Sequence, residues 1–158
     1  MTLYKTAITV FAYNIMKNAD FFPTMLGGTG DYSTIFNEFP YKNHIPYLKE
    51  YYIICTSYHS SRMLHHLIYN RTNDFVEMTL HHTVTIYLLV GSYMFNTWES
   101  GAVISFLHDA SDIFQHLTKM WTSTTLDSLS VTSAACCITS WAYMRCYILP
   151  FCVYTCWT

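Results

Sequence analysis

Five residues of types that carry acid–base chemistry lie inside apolar stretches of this chain: His81 and His82 in one, and His108, Asp109 and Asp112 in the next. An ionisable side chain at the centre of a membrane-spanning helix costs roughly 2.5 to 3.5 kcal/mol on insertion scales, so five on neighbouring segments point to a functional site within the membrane. His108 and Asp112 are four residues apart and Asp109 and Asp112 three apart, which stacks them on one helix face. A carboxylate beside an imidazole fixes its tautomer and stabilises its protonated form, the arrangement a general base needs. On the other segment Glu77 precedes His81 by four and Met78 precedes His82 by four. Consecutive helical residues point about 100° apart, so at most one of His81 and His82 is expected to meet His108 or a substrate, with the other in a supporting role.

Residue types alone leave three chemistries open. The polar groups could hydrogen-bond between helices, bind zinc or non-haem iron, or transfer protons to a lipid-soluble substrate. Metal is the weakest of these, because His59, His65 and His66 do not supply the His-x-x-His-His clusters that membrane di-iron oxidases use. No metal and no cofactor are expected.

The elements that must position these residues follow from hydropathy. The chain has 158 residues and is 52% hydrophobic, 18% aromatic and 11% charged, against about 25% charged in soluble domains. It is expected to be one domain, residues 1–158, with room for four or five spans of about 20 residues. The net charge of -2 and the scattered Lys and Arg residues argue against a nucleic-acid partner. Met1 to Met16, apolar apart from Lys5, reads as a shortened span or an interfacial helix. Phe21 to Pro46, with its Pro and Gly residues, reads as a structured loop at a membrane surface. Apolar blocks follow at Tyr51 to Tyr69, Phe75 to Phe95, Gly101 to Met120 and Leu126 to about Tyr154, the last interrupted by Arg145 and Pro150. Short connections make neighbouring blocks antiparallel. His82 stands fourteen residues before Asn96 and His108 eight after Ser100. At 1.5 Å per residue the two clusters then lie within roughly 10 Å in depth, close enough to share a site.

Other features receive simpler readings. Five of the six cysteines fall between Cys136 and Cys156, and packing accounts for them better than disulfides or a shared ligand at Cys152 and Cys156. Asn70-Arg71-Thr72 matches a glycosylation pattern. Tyr69, Trp98 and Trp121 read as interfacial anchors, and Arg62 and Arg145 as structural cations that snorkel or pair with a carboxylate.

The string Asp74-Phe75-Val76-Glu77-Met78, His81-His82, Thr85, Leu88-Leu89, Ser92-Tyr93, Asn96, Gly101, His108-Asp109-Ala110-Ser111-Asp112 and Lys119-Met120 resembles the longevity-assurance motif of ceramide synthases, a branch of the TLC-domain family. Fainter likeness runs through Phe22-Pro23, Leu26-Gly27-Gly28, Phe39-Pro40-Tyr41, Lys49 to Tyr52, Arg145 and Pro150. The stretch Phe114-Gln115-His116-Leu117-Thr118 departs from the family pattern, and the family's N-terminal and C-terminal helices are missing from the match.

The resemblance implies an all-α, polytopic membrane helix bundle of about four to five transmembrane helices, part of a TLC-type helical ring. It implies a membrane N-acyltransferase joining fatty acyl-CoA, as a substrate rather than a cofactor, to a sphingoid base among membrane lipids. His81, His82, His108, Asp109 and Asp112 would be its catalytic set, with an imidazole acting as base or itself taking the acyl group. The endoplasmic reticulum is the expected membrane for such an enzyme. The alternative is a catalytically inactive structural or lipid-binding subunit of a larger assembly, its ring completed by other membrane subunits, in another organelle such as the mitochondrial inner membrane.

Overall fold

The computed structural model describes residues 2–36, 41, 45–69, 75–122 and 127–157. Over these the chain is an all-α bundle: α1 Thr2–Met16, α2 Leu48–Tyr69, α3 Phe75–Met94, α4 Trp98–Thr122, α5 Asp127–Trp141, a wide-turned helical segment Ala142–Ile148, and α6 Leu149–Trp157. Asp74, Phe39-Pro40, the glycosylation pattern at Asn70 to Thr72, and most of the turn between Trp121 and Asp127 lie outside the described residues.

α4 is the centre of the bundle and touches α1, α2, α3, α5 and the wide-turned segment. Its buried face, Ala102, Val103, Phe106 and Leu107, meets a core that includes Ile8, Ala12, Met16, Phe21 and Phe22. Alanines at positions 12 and 102 let the backbones approach closely, the usual device where helices pack in an apolar medium. Glu99 in the first turn of α4 and Lys119 in its last complement the helix dipole.

The neighbours run antiparallel, as short connections require. His66 Nε2 meets the Phe75 carbonyl at 3.0 Å near one end of the α2–α3 pair, and Tyr52 Oη meets Ser92 Oγ at 3.0 Å near the other. Asn96 ends α3 with a φ of 57°. Its N–H bonds to the Tyr93 carbonyl at 3.3 Å and that of Thr97 to the Ser92 carbonyl at 2.9 Å, the paired bonds that close a helix on a left-handed residue. Asn, whose short polar side chain can bond locally, is one of the few residues with a side chain that tolerates that conformation. Over residues 21–36 the loop after α1 is structured as expected. Gly30 N–H bonds to the Phe22 carbonyl at 3.0 Å, Asp31 N–H bonds to the Asp20 carbonyl at 2.7 Å, and Phe21, Phe22, Tyr32 and Ile35 are buried.

Two expectations are corrected and one is narrowed. Of the two readings of α1, the interfacial helix would keep Lys5 in water, whereas Lys5 is 3% exposed and α1 packs on α4. The last block is not interrupted: α5, Ala142–Ile148 and α6 form one continuous helix. Pro150 lacks an N–H and its ring would crowd the carbonyl of Cys146. The wide turns before it, where Leu149 N–H reaches back five residues to the Met144 carbonyl, absorb that defect without a break. Packing explains only some of the thiols: Cys55 and Cys152 are buried, but Cys136 and Cys146 are exposed, and all four are free, as is Cys137. The side chain of Cys156 lies outside the description.

At 1.5 Å per residue α2, α3 and α4 measure roughly 33, 30 and 37 Å, matching a hydrocarbon core of about 30 Å. Among the described residues only Ser128–Thr155 is both long and apolar enough to cross a membrane by itself. α2 and α4 fall short in apolarity because they bury His59, His66, Glu99, Asp109 and Ser111 on their inward faces.

Candidate functional site

Every long element contributes an ionisable residue to one layer of the bundle. α1 brings Lys5, α2 His59, α3 His81 and His82, α4 His108, Asp109 and Asp112, and the wide-turned segment Arg145. Lys5 Nζ forms an ion pair with Asp109 Oδ1, and a second with Asp112 Oδ2 at 3.3 Å. Arg145 Nη2 lies 3.3 Å from Asp112 Oδ1. Two cations thus face two carboxylates, so the cluster is neutral as a whole. A neutral, multiply hydrogen-bonded group is the form in which charge can be held inside a bundle. The Lys5 ammonium also stands 5.3 Å from the ring centre of Tyr58, and Arg145 stands 5.7 Å from that of Trp141.

Four of the five residues singled out in the sequence, His81, His108, Asp109 and Asp112, line one cavity, and His82 does not. His108 Nδ1 lies 2.8 Å from the Ile104 carbonyl one turn earlier. A carbonyl only accepts, so Nδ1 carries the proton and Nε2 keeps its lone pair. The ring is therefore oriented by backbone and not by the neighbouring carboxylate, as the i, i+4 spacing suggested. Asp112 is instead drawn to cations from two other helices. His81 and His82 divide as expected. His81 lines the cavity between α3 and α4, while His82 is buried and its Nδ1 sits 3.5 Å from Nδ1 of His59. The side chain of Glu77 lies outside the description.

The cavity holds about 520 Å³. Its polar end is formed by Lys5, His59, His81, His108, Asp109 and Asp112, and its remaining wall by mostly apolar residues of α3 and α4, among them Leu88, Leu89, Phe95 and Ile104. Beside this wall, Tyr52 Oη meets Ser92 Oγ at 3.0 Å and donates to the Trp98 carbonyl at 2.8 Å. Gly101 makes that contact possible: a Cβ there would run into Tyr52 Oη and Ser92 Oγ. Among the described residues no three His, Cys, Asp or Glu side chains group as metal ligands would. Basic nitrogens and buried carboxylates at the end of an apolar slot suit proton transfer at the head of a long-tailed substrate.

Lys5, His59 and Arg145 were not among the catalytic candidates drawn from the sequence. The only signal for Lys5 is that it is the lone charge in an apolar segment of fifteen residues.

A family profile described as TLC domain matches residues 1–158. The chain belongs to the TLC-domain family. Its TLC domain is 32% identical over 119 residues to a sphingosine N-acyltransferase-like protein of Gibberella moniliformis, covering 72% of this chain and 29% of that protein. It is 36% identical over 81 residues to a ceramide synthase of Arabidopsis thaliana, covering 51% and 27%. With ceramide synthase 1 of Homo sapiens it shares 47% identity over 47 residues, 30% of this chain and 13% of the human protein. The matched segments thus cover less than a third of the length of each of these curated relatives. No solved structure matches it.

Proposed function

We propose that this chain is a ceramide synthase-like N-acyltransferase, joining a fatty acyl-CoA to the amine of a sphingoid base within a membrane. The observation that carries the reading is the placement of His108 and His81 at the polar end of an apolar cavity, beside a charge-balanced Lys5–Asp109–Asp112–Arg145 cluster. In this mechanism the free Nε2 of His108 takes a proton from the attacking amine as its nitrogen bonds to the thioester carbon. The carbon–sulfur bond then breaks, and the proton passes to the departing CoA thiolate. Asp109 and Asp112 stabilise positive charge on the imidazole as it forms, while Lys5 and Arg145 hold both carboxylates in place. His81 faces the same space, and His82, backed by His59, positions it. An apolar slot admits both long tails and keeps water from the acyl donor.

The outer surface supports a membrane setting. Val76, Leu80 and Val84 on α3 and Val131, Ile138 and Val153 on the last helix are large, apolar and exposed. Threonines on the same helices satisfy their hydroxyls locally. Thr83, Thr132 and Thr139 each donate to the carbonyl four residues earlier at 2.8 Å, which hydrocarbon surroundings demand.

The test is acyl transfer by the purified protein in lipid, with labelled acyl-CoA and sphingoid base, for wild type, His81→Ala and His108→Ala. Product from wild type that is lost in both variants is expected. No product from a folded sample would overturn the catalytic reading and leave a lipid-binding subunit.

A further inference from the structure

Two hydroxyl groups beside the cavity differ from the others in the bundle. Ser92, Ser111, Ser133 and Ser140 each donate to the carbonyl three residues earlier, at 2.9 to 3.1 Å. A helical serine in apolar surroundings satisfies itself in this way. Ser105 on α4 lines the cavity, and its hydroxyl is not returned to its own helix. Behind it on α2, Tyr51 is 1% exposed and its Oη is a buried polar atom without a hydrogen-bond partner. The polar neighbours of that phenol are the Cys55 thiol and the Ser105 hydroxyl. An unpaired buried hydroxyl is a standing cost, so phenylalanine would serve the core better if packing were the only requirement at position 51.

The register of α4 gives the pair a use. Ser105 precedes His108 by three residues and Asp109 by four, so its Cβ lies about 5–6 Å from theirs on one face. The bond between His108 Nδ1 and the Ile104 carbonyl draws the imidazole back towards the turn that carries Ser105. A serine oxygen has one proton to give and two lone pairs. With Tyr51 Oη donating to one lone pair, the proton and the other lone pair are left for the cavity. An amine on His108 Nε2, a hydroxyl on the adjoining carbon and Ser105 Oγ form a chain of three separations of about 3 Å each, enough to join two side chains one turn apart.

We infer that Ser105, oriented by Tyr51, recognises a hydroxyl on a carbon next to the amine-bearing carbon of the acceptor, and so selects amino alcohols over plain long-chain amines. This rests on the proposed acyl transfer to a sphingoid base, which carries such a hydroxyl on either side of its amine.

Wild type, Ser105→Ala and Tyr51→Phe are assayed in lipid with one acyl-CoA and a saturated sphingoid base, its 1-deoxy analogue or its 3-deoxy analogue. The quantity compared is the ratio of kcat/KM for the full base over each analogue, which a packing defect felt equally by all acceptors does not move. In wild type a preference of roughly tenfold over one analogue is expected, the size one hydrogen bond supports; it falls to about one in Ser105→Ala and to an intermediate value in Tyr51→Phe. The analogue that shows the preference identifies the hydroxyl. Tyr51→Phe is also expected to melt at or above the wild-type temperature, because it deletes an unpaired buried group. A lower Tm with a wild-type ratio would make the phenol structural and overturn its part in recognition. Equal ratios in wild type and Ser105→Ala overturn the inference and leave the acyl-transfer reading intact. The same bases also compete with a fluorescent sphingoid base for binding without acyl-CoA. If wild type forms no product, a preference in that competition that Ser105→Ala abolishes sustains the hydroxyl site while the enzyme reading falls, and a flat competition overturns both.

Discussion

Replacing Lys5 with methionine isolates the contribution of the buried charge cluster, because Met keeps most of the aliphatic stem and removes only the ammonium. The Lys5 side chain is 4% exposed, that of Asp109 5% and that of Asp112 20%. In Lys5→Met the balance of two cations and two carboxylates becomes one against two, and Asp109 keeps its burial while losing its ion-pair partner. Removing one member of a buried pair costs about 3–5 kcal/mol, chiefly through the stranded charge. For a chain of this size each kcal/mol moves Tm by about 2–4 °C, so a fall of roughly 6–20 °C is expected.

Thermal unfolding in detergent, followed by tryptophan fluorescence, measures the shift. The double variant Lys5→Met/Asp109→Asn separates charge from packing. If the stranded carboxylate is the cause, neutralising it restores about 1–3 kcal/mol, and the double variant is more stable than the sum of the single losses implies. A Lys5→Met protein melting within about 2 °C of wild type, or strictly additive losses in the double, would refute the account of the cluster as a closed charge balance.

Two further substitutions probe the surroundings of the cavity. Gly101→Ala forces a methyl group against Tyr52 Oη and Ser92 Oγ. Overpacking costs about 1–3 kcal/mol and lowers Tm by roughly 2–12 °C. Adding Tyr52→Phe, which removes the obstructing oxygen, is expected to recover part of that loss in the same melt, and an unchanged Tm in Gly101→Ala would show that α3 and α4 do not meet there. His59→Phe keeps a ring of similar size but deprives His82 Nδ1 of its neighbour at 3.5 Å. A buried polar atom left unpaired costs about 1–3 kcal/mol. If His82 positions His81, initial rates of acyl transfer fall about tenfold for each 1.4 kcal/mol of lost positioning. His59→Gln, which retains a polar partner, is expected to recover part of the rate; equal rates in the Phe and Gln variants would remove His59 from the site.

How much of this was legible in the sequence depends on how far each partner lies along the chain. His108, Asp109 and Asp112 stand out because they are polar in an apolar block, and their common face follows from helical spacing alone. The meeting of α3 with α4 follows from a connection of only a few residues between Met94 and Trp98. The orientation of His108 was misread because the i+4 carboxylate, available by local geometry, is engaged by Lys5, 107 residues away, and by Arg145, 33 residues away. No local pattern encodes those contacts. Pro150 was read as a break for a related reason: a proline states that one helical bond is lost, but not that the turns before it can widen to absorb the loss.

The charge arithmetic, however, was available before any coordinates. Lys5 is a lone cation in an apolar helix, Arg145 is another, and Asp109 and Asp112 are two anions in a third. An unpaired charge in each of three apolar helices costs several kcal/mol apiece in a low-dielectric interior, whereas one layer that collects all four is neutral. The requirement that isolated charges cancel makes α1, the last helix and, through Arg62, α2 candidate neighbours of α4, and all three touch it. Charge balance among helices can therefore supply long-range contact information where periodicity supplies none. Here it would have promoted Lys5 from an exception in an apolar segment to part of the site.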